Sequence, residues 1–389
     1  MTQALAGIRV LDLSNVLAGP FCAYQLALLG AEVIKIEVPG QGDLARKLGA
    51  DASLNEKLMG ASFLAQNSGK KSVTVNLKSE GGKEVLQRLV KSAHVLVENF
   101  RPGVMDRLGV GYEQLRQHNP ALVYCAISGF GQDGPLRLNP AYDQIIQGLS
   151  GVMSVTGDAQ SAPLRVGYPV ADTMGGITAA YAISAALFRR ERTGEGEFID
   201  VSMLESMLVA MGWVVSNWLI AGMRPEPFGN ENMTASPSGT FRTGDGLLNI
   251  AANQQQQFET LCQLIGRPEL AADPRFAARE DRKRNRAALS EQIEQALAVR
   301  SAPEWSALMN ASGVPSGEVL DVSSVLEHPQ IAERGLLRSF SGVPNVDRDV
   351  TVVRSGFRLN LRQTSSARHR WLVLLRHAAF CIGKPRPGG

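Results

Sequence analysis

Along the first 200 residues, short apolar runs alternate with longer amphipathic stretches. Ile8 to Leu13 reads as a buried strand, Pro20 to Leu29 as a helix, and EVIKIE at 32 to 37 as a second strand. Strand-like runs return at Ser72 to Leu77, His94 to Glu98 and Leu122 to Ile127, with a helical pattern at Glu80 to Ser92. Strands alternating with helices in this way predict a parallel sheet covered by helices.

Farther along, a loop rich in Gly, Pro and Ser at Gly157 to Tyr168 leads into a long helix rich in Ala and Ile, Thr173 to Arg190. Asp172 falls where the cap of that helix is expected. A strand at Phe198 to Val201 follows, then an apolar stretch, Met203 to Met223. Glu205, Gly212, Ser216 and Gly222 interrupt it, so a buried helix is expected rather than a membrane span. Beyond Pro225 the character changes. A loop rich in Pro, Gly and Asn runs to Gly239, and Thr240 to Ala252 reads as a hairpin turning at Gly244-Asp245-Gly246. A helix is expected from Gln256, and residues 285 to 312 read as helical and charged. Strand patterning returns at Asp347 to Leu361, after which both periodicity and acidic residues disappear.

Composition narrows the function classes. The chain has 389 residues, of which 44% are hydrophobic, and its start shows no charged region followed by an apolar run. Two lobes and a cytoplasmic protein are expected, with no membrane partner. Cys22, Cys125, Cys262 and Cys381 form no CxxC pair, and the five histidines show no HxxxH spacing. Neither a disulfide framework nor a metal site is expected. The net charge of +3 hides an asymmetry, because residues 362 to 389 carry six basic residues and no acid. Basic residues confined to a tail, without an accompanying aromatic face, do not make a nucleic-acid footprint.

The first strand–helix–strand unit ends in Glu37, where an acid could hold a ribose. Its turn reads Ser-Asn-Val-Leu-Ala-Gly-Pro, however, and lacks the G-x-G-x-x-G that lets a backbone approach a pyrophosphate. A nicotinamide enzyme is therefore disfavoured. A different set of segments stands out: VLAGPFCAYQLALLGAEVIKIEVPGQGDLAR (16 to 46), VENFRPGVMDRLG (97 to 109), SGFGQDGP (128 to 135), YDQIIQGLSG (142 to 151), ADTMGG (171 to 176), TGEGEFIDVSMLES (193 to 206) and GVPSG (313 to 317). In this order they resemble the class III coenzyme A transferases, the family of formyl-CoA transferase and carnitine CoA-transferase. They look nearest to the members that act on dicarboxylates with succinyl-CoA as donor. The resemblance runs from about residue 5 to about residue 360.

The resemblance implies an α/β fold: a Rossmann-like parallel-sheet large domain (1–195), a linking strand and helix (196–225), a smaller α+β domain (226–325) and a return segment (326–361). An atypical basic tail (362–389) replaces the usual family ending, and two chains are expected to interlock as a homodimer. It further implies Asp172 as nucleophile, through an aspartyl anhydride and an aspartyl-CoA thioester. Asp143 is the matching second acid, able either to orient the nucleophile or to cap the helix after it. Coenzyme A, a co-substrate with no permanent cofactor beside it, is expected at Leu17, Ala18, Val75, Asn76, Leu77, Lys78, Asn99, Phe100, Arg101 and Arg107. Lys78, Arg101 and Arg107 are the cations for its phosphates. The formyl-transferring relatives have arginine where this chain has Val38 and lysine where it has Pro140, so some phosphate contacts must differ. Arg46 and Arg165 are weaker candidates for clamping the acceptor carboxylate, with ion pairing as the alternative for each. The loop Phe228 to Gly239 falls where the family carries a glycine-rich flap.

Two other functions fit the same fold. Racemases on the same fold need a histidine that would fall at Tyr142, and a tyrosine is a poor base at neutral pH. A CoA-binding homologue without activity is the reading that the altered tail suggests.

Overall fold

The computed structural model describes residues 3–359. Six strands form one parallel sheet: β1 (Arg9–Asp12), β2 (Glu32–Glu37), β3 (Lys71–Thr74), β4 (Val95–Glu98), β5 (Val123–Ser128) and β6 (Glu197–Ser202). Their order is β3-β2-β1-β4-β5-β6, so the chain moves outward from β1 to one edge, then returns to β4 and builds the other. Such an order creates a crevice at the carboxyl ends of β1 and β4, where the winding reverses. The strands are short and apolar because both faces are covered. Val10, Val95, Val97, Val123 and Cys125 pack on one side, against the helices Ala18–Leu28 and Val170–Thr193. Leu11, Leu96, Tyr124 and Ala126 alternate to the other, against Leu86, Val90 and Leu115.

The chain packs as two units. One comprises the described residues to Val152, Arg165–Met223 and the described residues from Arg334 on; the other comprises Met153–Leu164 and Arg224–Glu333. The second unit holds the antiparallel sheet β7 (Ser238–Arg242), β8 (Leu247–Ala251) and β9 (Ser316–Glu318). Phe241, Leu248 and Ile250 pack there on Phe258, Leu289, Ile293 and Trp305. The hairpin turns at Gly244-Asp245-Gly246, as the sequence pattern predicts, and Gly246 supplies the left-handed φ of +88°. In the first unit, β10 (Leu337–Phe340) and β11 (Val350–Val353) pair antiparallel, and the Tyr24 hydroxyl donates to the Val353 carbonyl at 2.7 Å.

Several expectations need correction. The helix expected at Thr173 begins at Val170 and runs to Thr193, with Pro169 as its N-cap, so Asp172 lies inside the first turn and is not the cap. Proline suits this entry because its fixed φ is pre-set for a helix and its missing N–H would have had no partner. The apolar stretch after β6 is not one buried helix. It breaks into Met203–Ala210 and Gly212–Ala221, bent by 78°, and the second of these has no residue buried among the described residues. The helix Val170–Thr193 is long and apolar enough to cross a membrane by length and composition, yet Ala171, Ala179, Ile183 and Leu187 pack it into the sheet's core. Patterning at 347 to 361 yields a strand only at Val350–Val353, and the tail 362–389 lies outside the described residues. Cys22, Cys125 and Cys262 are buried free thiols.

Candidate active site

Parallel strands deliver their following loops to one edge, and most of the predicted site residues lie along it. Leu17 and Ala18 follow β1, Val75 to Lys78 follow β3, and Asn99 to Arg101 follow β4. Leu17 is the N-cap of the helix Ala18–Leu28. The loops after β1 and β4 are tied across the crevice: Asn15 N–H donates to the Asn99 side-chain oxygen, and Asn99 Nδ2 donates to the Asn15 carbonyl, both at 2.8 Å. Phe100 anchors its loop in the core, and its amide donates to the buried Glu98 carboxyl at 2.7 Å. Burial pushes Glu98 up to about 8. Lys78, Arg101 and Arg107 are exposed, and no ion pair with a described residue engages them. The amides of Ala18 and Gly19, which open their helix, have no acceptor among the described residues.

Asp172 is brought to the same edge by close packing of two helices. Gly176 lies one turn after Asp172 on the same helical face. A Cβ on Gly176 would come within 2.6 Å of the Ala18 carbonyl and 3.0 Å of Phe21. One on Gly175 would come within 2.9 Å of Met203. Gly176 thus lets the start of the Asp172 helix rest on the start of the Ala18 helix, and Gly175 lets it rest against Met203, which opens the helix Met203–Ala210.

The Asp172 carboxyl is mostly buried, and among the described residues no hydrogen bond reaches it. Burial, followed by the charge of Asp143, pushes it up to about 7. Asp143, at the start of the helix Asp143–Leu149, is held on both oxygens. Oδ1 accepts the amides of Ala171 at 2.8 Å and Asp172 at 3.4 Å. Oδ2 accepts from Gln147 at 2.7 Å and faces Arg165 at 3.6 Å. Asp143 therefore does not cap the helix that follows it, whose N-cap is Tyr142; it caps the Asp172 helix from outside. The amides that could have stabilised an oxyanion beside Asp172 are already taken. Asp172 itself caps nothing, and its carboxyl is left available for chemistry.

Arg46 does not reach the site as a clamp. It is buried against Glu37 in a two-pronged pair, with Nε to Oε2 at 2.6 Å and Nη2 to Oε1 at 2.7 Å, and its guanidinium stacks on Phe63 at 3.8 Å. The same pair occupies the acid considered for ribose. Arg165, half-exposed, stays beside Asp143. Tyr142 is 71% exposed at the head of its helix. The loop from Phe228 borders an open cavity of about 600 Å³ within the second unit, lined by Asn230, Asn232, Thr240, Asn249 and Ser316 among others.

Two features were missed in the sequence. Gln147 was signalled by its i+4 spacing from Asp143 on one helix. The buried charges Asp12, Lys35, Asp43 and Lys70 were signalled by the ionisable residues in β1 and β2, strands with no solvent face. Burial would raise Asp12, but Lys35 and Lys70 hold it at about 2. Lys70 falls to about 8, chiefly through burial.

A profile of CoA-transferase family III matches residues 5–370. Acetyl-CoA:oxalate CoA-transferase of Acetobacter aceti is 43% identical over 87% of this chain and 86% of its own length. Succinyl-CoA:glutarate CoA-transferase of Mus musculus is 37% identical over 86% and 76%. The crystal structure of a CAIB/BAIF family protein from Brucella suis superposes with TM-score 0.80 at 35% identity, covering 92% of this chain and 93% of that one. With a mixed α/β fold built on a six-stranded parallel sheet, this chain belongs to CoA-transferase family III and is an enzyme of that type.

Proposed function

We propose that the enzyme moves coenzyme A from succinyl-CoA to a small dicarboxylate, with Asp172 as the nucleophile. The observation that carries this reading is the Asp172 carboxyl: set in the first turn of its helix, free of hydrogen bonds from the described residues and made more basic by burial and by Asp143. A poorly solvated, more basic carboxylate is a better nucleophile once ionised.

An Asp172 oxygen attacks the acyl carbon of the donor thioester. The C–S bond breaks, giving a mixed anhydride and CoA thiolate. The thiolate attacks the Asp172 carbonyl, releases the donor acid and leaves an aspartyl-CoA thioester. The acceptor carboxylate repeats the sequence in reverse and restores Asp172, with no net proton or redox change. The Ala18 and Gly19 amides are this chain's candidates for meeting the developing oxyanion. Leu17, Val75 to Leu77 and Asn99 to Phe100 line the coenzyme, and Lys78, Arg101 and Arg107 meet its phosphates. Arg165, beside Asp143, is the remaining guanidinium for the acceptor acid.

Relatives that act on oxalate and on glutarate support a dicarboxylate acceptor. The 43% relative puts oxalate in the acceptor panel beside the larger dicarboxylates. Incubation with succinyl-CoA and oxalate, glutarate, itaconate, citramalate or malate, with new thioesters followed by mass, is expected to give transfer to at least one acid. The same mixture with Asp172→Ala is expected to give none. Transfer that survives the substitution overturns the mechanism.

A further inference from the structure

The connection from β1 into the first helix is held by more buried charge than its length requires. Asp12, Lys35, Asp43 and Lys70 are all at most 2% exposed. Lys70 Nζ donates to Asp12 at 2.7 Å, to Asn67 at 2.9 Å and to the Pro20 carbonyl at 2.8 Å. Lys35 Nζ lies 2.8 Å from Asp43 Oδ2 and donates to the Ser14 carbonyl at 2.8 Å. Asp12 accepts both the amide and the hydroxyl of Ser14. Asp43 Oδ1 accepts the Val16 amide at 3.0 Å, and Asn99 holds Asn15 by both its amide and its carbonyl. Three successive residues thus have their backbone groups fixed by side chains from β1, β2, the loop after β2 and the loop after β4.

The residue at the end of this clamp is strained. Val16 has φ of +66°, a left-handed conformation that a β-branched side chain avoids. Such a residue persists only where its surroundings over-determine it. A structural ion pair alone does not account for this, since buried pairs are often replaceable by apolar side chains without loss of stability. The turn is also packed to contact: a Cβ on Gly19 would lie 2.2 Å from Ser14 Cβ. Leu17 and Ala18 come next in the chain.

We propose that Asp43 is a positioning residue which, through the Val16 amide, holds a strained turn that presents Leu17 and Ala18 to the coenzyme. This rests on the reading that coenzyme A binds at those residues. Pre-organisation of this kind raises affinity by removing the ordering that binding would otherwise require.

The test compares Val16→Gly, Val16→Ala and Asp43→Ala, using calorimetry with CoA itself, thermal melting, and KM and kcat for succinyl-CoA. Glycine relieves the strain and frees the turn, whereas alanine keeps the strain and removes only methyl groups. Val16→Gly is expected to keep or raise Tm while weakening CoA binding by about tenfold, and Val16→Ala to bind as the wild type does. Asp43→Ala, where it folds, is expected to raise KM by about tenfold with kcat changed far less. Equal loss of affinity in the glycine and alanine variants, or Val16→Gly binding CoA as the wild type does, overturns the proposal. Wild-type protein that fails to bind CoA at all overturns the functional reading, and this inference with it.

Discussion

At the scale of single residues, Asp172 is a liability that the fold tolerates. Its pKa is raised from 3.8 to about 7, so between those values the folded state holds a proton that the unfolded chain has lost. Stability therefore falls as pH rises from about 4 to about 7, and the cost of the ionised carboxyl is present in full above that. Asp172→Asn removes the cost. The variant is expected to be inactive yet more stable than the wild type at pH 8, by about 2 kcal/mol after allowing for solvent, with the gap closing below pH 4. Melting curves at the two pH values check it. The same titration should appear in catalysis as an ascending limb of kcat/KM near pH 7. Asp143→Asn deletes the like charge but keeps an oxygen for the Ala171 and Asp172 amides, so the limb is expected to move to lower pH. An unmoved limb in that variant would show that burial alone sets the Asp172 titration. Asp172 stood out as a candidate in the sequence because its motif stands among others in order. The capping relation was not, since its acceptor, Asp143, lies 29 positions upstream. For Arg46 the ion-pair alternative holds, but the pair is buried, and its partner was hidden for a similar reason: Glu37 ends a strand whose burial depends on the whole sheet.

At the scale of elements, strands were easier to read than helix ends. EVIKIE occupies β2 without a shift, because a parallel strand covered on both faces is fixed by its apolar content. The Asp172 helix started three residues early because Pro169, not a side-chain oxygen, opens it. The break after Ala210 was not foreseen, although Gly212, with φ of +27°, marks it. The glycine pair at 175 and 176 read only as part of a motif; its packing role needed the neighbouring helix. Gly176→Val is expected to destabilise the protein by about 1–3 kcal/mol, because the added carbons press on the Ala18 backbone and on Phe21. It is also expected to lower kcat more than Gly81→Val, whose Cβ would meet nothing within 4 Å. Denaturant titration and steady-state rates for the two variants decide this.

At the scale of the whole molecule, the single chain leaves much apolar surface bare. Tyr181, Val209, Trp213, Trp218, Leu219 and Ile220 are 54–87% exposed, all on the helices that flank β6. Isolated exposed apolar residues need no explanation, but a run of this size on adjoining helices marks an interface. The occupant we propose is a second copy of the chain, in the interlocked arrangement that the sequence resemblance implies. Interlocking makes a specific demand: the subunits cannot separate while folded. Light scattering is then expected to show a dimer at every concentration at which the protein stays folded, and Tm is expected to rise with protein concentration because dissociation and unfolding are one event. Trp213→Asp with Ile220→Asp places two charges on the bare helix and is expected to leave little soluble dimer. A folded, stable monomer from the wild-type chain would remove the second copy as the occupant of that surface. A dimer that dissociates reversibly on dilution would keep the second copy but exclude the interlock.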